Sequence, residues 1–208
     1  MRMKTLLAAT AFAAVASLAA ASANAAIING SFESGFSGWT VNGNAAVAGV
    51  DFANDGTQYD PVAGLLFADI SGGSANEYQT LSQTFTHSGG TVSGFAAYLA
   101  RDYVPYEDDS YVRIYDSLTS LVVFSQSVST VGDYGRTPWT HFSTTLGAGS
   151  YTIEAGVRNL YDSANTPNLL LDNVSSGTPE PGTWALMLSG FFGAGAMLRR
   201  RRQVAFAA

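Results

Sequence analysis

Residues 101–116, RDYVPYEDDSYVRIYD, set Tyr103, Tyr106, Tyr111 and Tyr115 among Asp102, Glu107, Asp108 and Asp109. A tyrosine ring offers an apolar face and a hydroxyl, and a carboxylate accepts hydrogen bonds from alcohols, so this mixture suits contact with a sugar. By composition, Tyr103, Tyr106, Tyr111, Tyr115, Asp108 and Asp109 are the candidate glycan contacts. A plainer reading stands beside it. Pro105 and the acidic triplet suit an exposed hairpin loop, with tyrosines laying their rings on a sheet surface where aromatic residues are favoured anyway. Trp39 and Trp139 read first as packing residues.

No catalytic set assembles from the rest. His87 and His141 are the two histidines, both in strand-like segments and neither in an H-E-x-x-H pattern. There is no G-x-S-x-G elbow and no phosphate-cradling G-x-x-x-x-G-K-[ST]. Carboxylates are plentiful, but glycoside hydrolysis needs two of them at a defined separation across a cleft, which spacing in sequence does not establish. The expectation is a protein that is not an enzyme. In DFANDGTQYD, Asp51, Asp55 and Gly56 match positions one, five and six of a calcium loop, but Ala53 and Val62 stand where ligands belong, so a polar turn is expected. Cysteine is absent, which removes disulfides and thiolate chemistry.

The elements that must position these residues lie between two terminal addresses. Met1, Arg2, Met3 and Lys4 open an Ala-rich apolar run closed by ASANAA, the pattern of a secretory signal peptide over residues 1–25 with cleavage after Ala25. Six of the ten basic residues fall in the two addresses, leaving Arg101, Arg113, Arg136 and Arg158 in the 26–177 domain. Fifteen of the sixteen acids lie there too, for a formal charge of about −11. Such a surface repels phosphate backbones and excludes nucleic acid as a partner, while it favours hard cations.

Within 26–177, short runs rich in Val, Ile, Thr, Tyr and Phe alternate with Gly, Asn, Asp and Ser clusters. About nine strands are expected, from Trp39, Ala45, Thr80, Thr91, Tyr111, Leu121, Trp139, Tyr151 and Leu169. In TLSQTFT, Leu81, Gln83 and Phe85 share one face; in YVRIYD, Val112 and Ile114 oppose Tyr111, Arg113 and Tyr115. So many strands in one domain imply an all-β fold, an antiparallel β-sandwich closed as a jelly roll.

The opening IINGSFESGFSGWTVNG and the close LLLDNVSS, preceded by LGAGSYTIEAGVRN, resemble the ends of galactose-binding-like jelly rolls, carbohydrate-binding modules among them. The likeness covers most of Ala26 to Ser176 and implies the fold and a glycan ligand. It also implies a structural calcium joining the first loop to the last strand, with Glu33 and Asp172 as its carried-over ligands. The alternative is that Glu33 and Asp172 cap turns through their side-chain oxygens.

The C-terminal stretch TPEPGTWALMLSGFFGAGAMLRRRR covers residues 178–202. Two prolines break the backbone, and residues 183–198 carry no charge. As a transmembrane helix they would measure about 24 Å, short of a bilayer core of roughly 30 Å. Four arginines then stop transfer and stay in the cytoplasm with the domain outside, and residues 203–208 form a cytoplasmic tail. This ending resembles the PEP-CTERM sorting signal of Gram-negative bacteria. Pro179, Glu180, Pro181, Trp184 and Ala185 match its PEPxxWA variant in residues 179–185, and Arg199, Arg200, Arg201 and Arg202 its basic cluster. The extra QVAFAA departs from that pattern. The resemblance implies export through the inner membrane, transient anchoring, and processing by an exosortase, in species that make exopolysaccharide and biofilm matrix. The expected product is a non-enzymatic cell-envelope or extracellular-matrix protein, with polysaccharide as an expected partner.

Overall fold

The computed structural model describes residues 26–177. The signal-peptide region, the PEPxxWA motif, the 183–198 span and the arginine cluster lie outside the described residues. No helix among the described residues is long and apolar enough to cross a membrane.

Ten strands and one helical turn follow in order: β1 (Thr40–Asn42), β2 (Ala45–Ala48), β3 (Asp51–Phe52), β4 (Gln58–Tyr59), β5 (Phe67–Ser71), β6 (Tyr78–Leu99), β7 (Asp109–Tyr115), β8 (Ser120–Ser127), α1 (Val128–Val131), β9 (Thr140–Arg158) and β10 (Asn168–Ser176). Every pairing is antiparallel. The fold is an antiparallel β-sandwich of the jelly-roll kind, and its two layers share their longest ladder. β6 and β9 pair from Tyr78↔Arg158 to Ala96↔Thr140. The first half of β6 and the last half of β9 form one layer with β1, β7 and β8; the remaining halves form the other with β10, β5 and β2.

Two runs expected as separate strands are therefore one. TLSQTFT and TVSGFAAYLA join in β6, and WTHFSTT and YTIEAGVR join in β9. Their alternation changes phase on the way. Leu81 and Phe85 face the core before Gly89, whereas Val92, Ala96 and Tyr98 face it afterwards. The switch falls at Gly89 and Gly90, whose φ angles of 98° and 129° disfavour any side chain. Across the ladder β9 shifts phase likewise, from Phe142 to Ile153, Ala155 and Val157.

The main core fills the space between the layers, with Phe32, Ile70, Leu81, Tyr98, Val112, Ile153, Leu169 and Leu171 essentially buried. Trp39 packs here at 5.2 Å from Phe32, and its indole N–H donates to the carbonyls of Ile28 and Asn29. Leu170 points the other way, into a smaller cluster with Phe67, Ala97, Leu99, Ala53 and Tyr59, which Trp139 flanks. β10 is thus apolar on both faces over Leu169, Leu170 and Leu171, as expected of a strand covered on both sides. Among the described residues no second apolar cluster covers the outer face of the first layer, which carries polar residues.

Candidate functional site

On the outer face of the first layer, register places Arg113 of β7 opposite Glu154 of β9, Tyr111 opposite Gly156, and Asp109 opposite Arg158. Tyr78 of β6 lies beside Arg158 from the other side. Arg113 Nε donates to Glu154 Oε1 at 3.0 Å, and a second guanidinium nitrogen approaches the same oxygen at 2.7 Å. Tyr111 donates its hydroxyl to Glu154 Oε1 at 2.6 Å, and Tyr115 reaches Oε2 at 3.5 Å. The guanidinium of Arg113 lies 5.1 Å from the Tyr111 ring centre and 4.9 Å from that of Tyr115. Arg158 stacks at 4.6 Å on Tyr78 and pairs with Asp109. The rings of Tyr78 and Tyr111 meet edge-to-face at 5.0 Å.

Burial raises the phenol of Tyr111, and its hydrogen bond to Glu154 raises it further. Tyr78 is pushed up to about 12 by burial and then by Asp109. Both hydroxyls stay protonated at physiological pH and serve as donors. A hollow of about 330 Å³, lined by Arg113, Tyr115, Asp116, Leu118 and Thr119 among others, opens beside this face at the β7–β8 turn. The ensemble offers half-buried ring faces, guanidinium donors and a carboxylate acceptor on a rigid strand scaffold, which is chemistry suited to polyols and to few reactions.

The four candidate tyrosines divide between two places. Tyr111 and Tyr115 belong to this face. Tyr103 and Tyr106 belong to the loop between β6 and β7, where their rings meet at 5.5 Å and Tyr103 lies 5.7 Å from Tyr134. Tyr103 and Tyr134 are exposed; Asp133 accepts the Val104 amide at 2.9 Å and braces the loop. Asp109 pairs with Arg158 through Oδ2 and buries its Oδ1, and Asp108 is 0% exposed, so its carboxylate offers nothing to an outside sugar. This corrects the expectation for Asp108, and the exposed-hairpin reading fails there too. Asp108, just before β7, and Ser110 within it are both buried, while Asp109 between them is half-buried. Burial raises the Asp108 carboxyl to about 7, and the charges of Asp102, Asp162 and Asp109 add to the effect.

Glu33 and Asp172 converge on one turn from opposite ends of the domain. Glu33 Oε1 accepts the amides of Leu65 and Leu66 at 2.7 and 2.8 Å, while Asp172 Oδ2 accepts those of Val62 and Ala63 at 2.6 and 2.9 Å. Asp172 Oδ1 takes the Asn173 amide at 2.6 Å. These are the capping bonds of the alternative reading. Even so, Asp172 is raised, by burial above all, and Glu33 adds to the rise. Among the described residues, no group of three or more His, Cys, Asp or Glu side chains is placed to hold a metal ion.

Sequence reasoning missed Tyr78, Glu154, Arg158 and Tyr134. Only the alternation of YTIEAGVR placed Glu154 and Arg158 on one face, and nothing local says which strand lies beside them.

No protein-family profile matches this chain, and no curated protein matches it in sequence. Solved structures of similar course include TmCBM61 in complex with β-1,4-galactotriose, at 17% identity and a TM-score of 0.47, covering 73% of this chain and 96% of that one. The K3 cleaved adhesin domain of Lys-gingipain from Porphyromonas gingivalis w83 is similar at 15% identity and a TM-score of 0.43, covering 74% and 99%. A xylan-binding domain of CBM 22 is similar at 13% identity and a TM-score of 0.41, covering 72% and 94%. The likeness is one of chain course.

Proposed function

We propose that this chain is an exported, non-enzymatic glycan-binding β-sandwich of the cell envelope or extracellular matrix, delivered by its C-terminal sorting signal. The observation that carries the glycan reading is the outer face of Tyr78, Tyr111, Arg113, Tyr115 and Glu154, where ring faces and fixed polar groups share one sheet surface. Acidic polymers gain nothing from a domain of about −11, so the fitting ligand is a neutral polysaccharide. Affinity electrophoresis in gels of neutral exopolysaccharide tests it. Retardation of the wild type, lost in Tyr111→Ala and Arg113→Ala, is expected; equal mobility of wild type and variants sinks the reading, and turnover of a labelled polysaccharide would make the protein a glycosidase instead.

The sorting reading rests on residues 179–202 and predicts exosortase processing after passage through the inner membrane. Intact mass of protein recovered from envelope and medium tests it, with loss of Arg199–Arg202 expected. A mature species that keeps them refutes processing. Calcium shared by Glu33 and Asp172 belongs to the same reading, supported by their convergence on residues 62–66. Melting in excess EGTA tests it: Glu33→Gln should lower the calcium response.

A further inference from the structure

The described residues hold four arginines and no lysine, and each arginine is engaged: Arg101 with Asp51, Arg113 with Glu154, Arg136 with Asp55, and Arg158 with Asp109. Among the described residues three buried acids, Asp102, Asp108 and Asp172, are left without an arginine, and the amides of Val62, Ala63 and Asn173 occupy both oxygens of Asp172. Asp102 and Asp108 bound the tyrosine loop at 1% and 0% exposure. Asp102 Oδ1 accepts the Tyr103 amide at 2.9 Å and Asp108 Oδ1 the Leu160 amide at 2.8 Å. The second oxygen of each carboxylate has no hydrogen-bond partner among the described residues.

One turn holds both residues in place. The amide of Val128 donates to the Asp108 carbonyl at 3.0 Å, and that of Tyr134 to the Asp102 carbonyl at 2.7 Å. The Tyr98 hydroxyl, fully buried, also donates to the Asp108 carbonyl at 2.8 Å. Of the neighbouring acids, Asp102 acts most strongly on Asp108.

A third oxygen comes from a different element. The ladder ends at Asp109 and Arg158, and just beyond it Asp108 Oδ1 accepts the amide of Leu160, which makes Asn159 a neighbour of Asp108. Asn159 is 0% exposed; its Nδ2 donates to the Ala164 carbonyl at 2.8 Å, and its Oδ1 has no partner among the described residues. With Asp109 Oδ1, four acceptor oxygens are thus buried without donors among the described residues, three of them on Asp102, Asp108 and Asn159. Leaving a carboxylate in that state costs several kcal/mol unless something positive joins it. Hard divalent cations take carboxylate and amide oxygens, with carbonyls and water completing the shell.

We propose that Asp102, Asp108 and Asn159 form a binding site for a hard divalent cation of the calcium class. The site is distinct from the Glu33 and Asp172 pair. It ties the tyrosine loop to residues 159–164 and so sets the position of the exposed Tyr103 and Tyr134 rings.

The test uses the full chain in detergent, stripped with EGTA, with calcium-dependent melting and tyrosine-sensitised terbium luminescence as readouts at pH 7.5. Wild type should bind with an affinity of about 10⁻⁴–10⁻³ M or tighter, as extracellular calcium modules do. Asp108→Asn should raise the metal-free melting temperature, because it removes the unpaired charge, and weaken calcium about tenfold or more. Glu33→Gln should leave this site's terbium signal intact, which separates it from the pair at the chain ends. Asn159→Asp, adding a third carboxylate, should tighten calcium about tenfold. A calcium response unchanged in Asp108→Asn and Asn159→Asp overturns the proposal. So does a wild type indifferent to calcium whose melting temperature rises as pH falls from 8 to 6, since a proton then holds the pair.

Discussion

Tyr111 can lie flat on the sheet because its cross-strand partner is Gly156, which has no side chain. A methyl built on Gly156 would stand 2.7 Å from Tyr111 Cζ and 2.8 Å from its hydroxyl oxygen, so in Gly156→Ala the ring must move by about 1 Å to regain van der Waals distance. That shift breaks the 2.6 Å bond to Glu154 and loosens the 5.0 Å contact with Tyr78. A hydrogen bond to a charged group contributes ~1.5–3 kcal/mol, of which water recovers a part on this half-buried face. The aromatic pair contributes ~0.5–1.5 kcal/mol. Alanine in a strand returns ~0.5–1 kcal/mol of backbone entropy. The net loss is about 1–2 kcal/mol, or a melting temperature lower by roughly 2–8 °C for a domain of this size. Losing one stacking ring should also weaken polysaccharide binding by about 5–30-fold. Differential scanning calorimetry and affinity electrophoresis read the two effects. Gly147→Ala is the control, because its methyl would meet nothing nearer than the Tyr151 hydroxyl at 4.0 Å. If Gly156→Ala melts and binds like Gly147→Ala, the seat assigned to Tyr111 is wrong.

The raised Asp108 carboxyl, at about 7 against 3.8, favours the protonated form in the folded state. Its contribution is therefore fully present below pH ~4 and lost as pH rises to about 7, by up to ~4 kcal/mol at 1.36 kcal/mol per pH unit. Urea melts in EGTA from pH 5 to 8.5 should show this slope, and Asp108→Asn should flatten it; parallel slopes would refute the assignment. Gly64 adopts φ 73°, and a methyl there would drive into the Glu33 carboxylate, so Gly64→Ala should cost about 1–3 kcal/mol and speed hydrogen exchange at Leu65 and Leu66. Leu171→Ala empties a site at 0% exposure between the layers and should cost about 2–5 kcal/mol in a denaturant titration; a loss under 1 kcal/mol would mean that the two layers do not meet there.

The sequence by itself determined the class of fold and most of its strands. Alternation in YVRIYD decided which side of β7 meets the core, because a pleated strand sends successive side chains to opposite faces wherever it pairs. It did not reveal that TLSQTFT and TVSGFAAYLA are one strand, since the phase change at Gly89 and Gly90 mimics a strand boundary. Nor did it reveal β5 (FADIS) and β4 (QY), which are too short and too mixed in composition to stand out from turns. The alternation within β7 placed Tyr111, Arg113 and Tyr115 together on its outer face. That Glu154, Gly156 and Arg158 lie beside them, 39 or more residues later, was decided by pairing between distant segments. The same holds for burial: EDD reads as a solvated acidic run, yet register turns Asp108 inward beside Asn159 and Asp109 outward onto Arg158. Local chemistry names the groups a chain possesses, but long-range register decides which of them share a face and which must go without water.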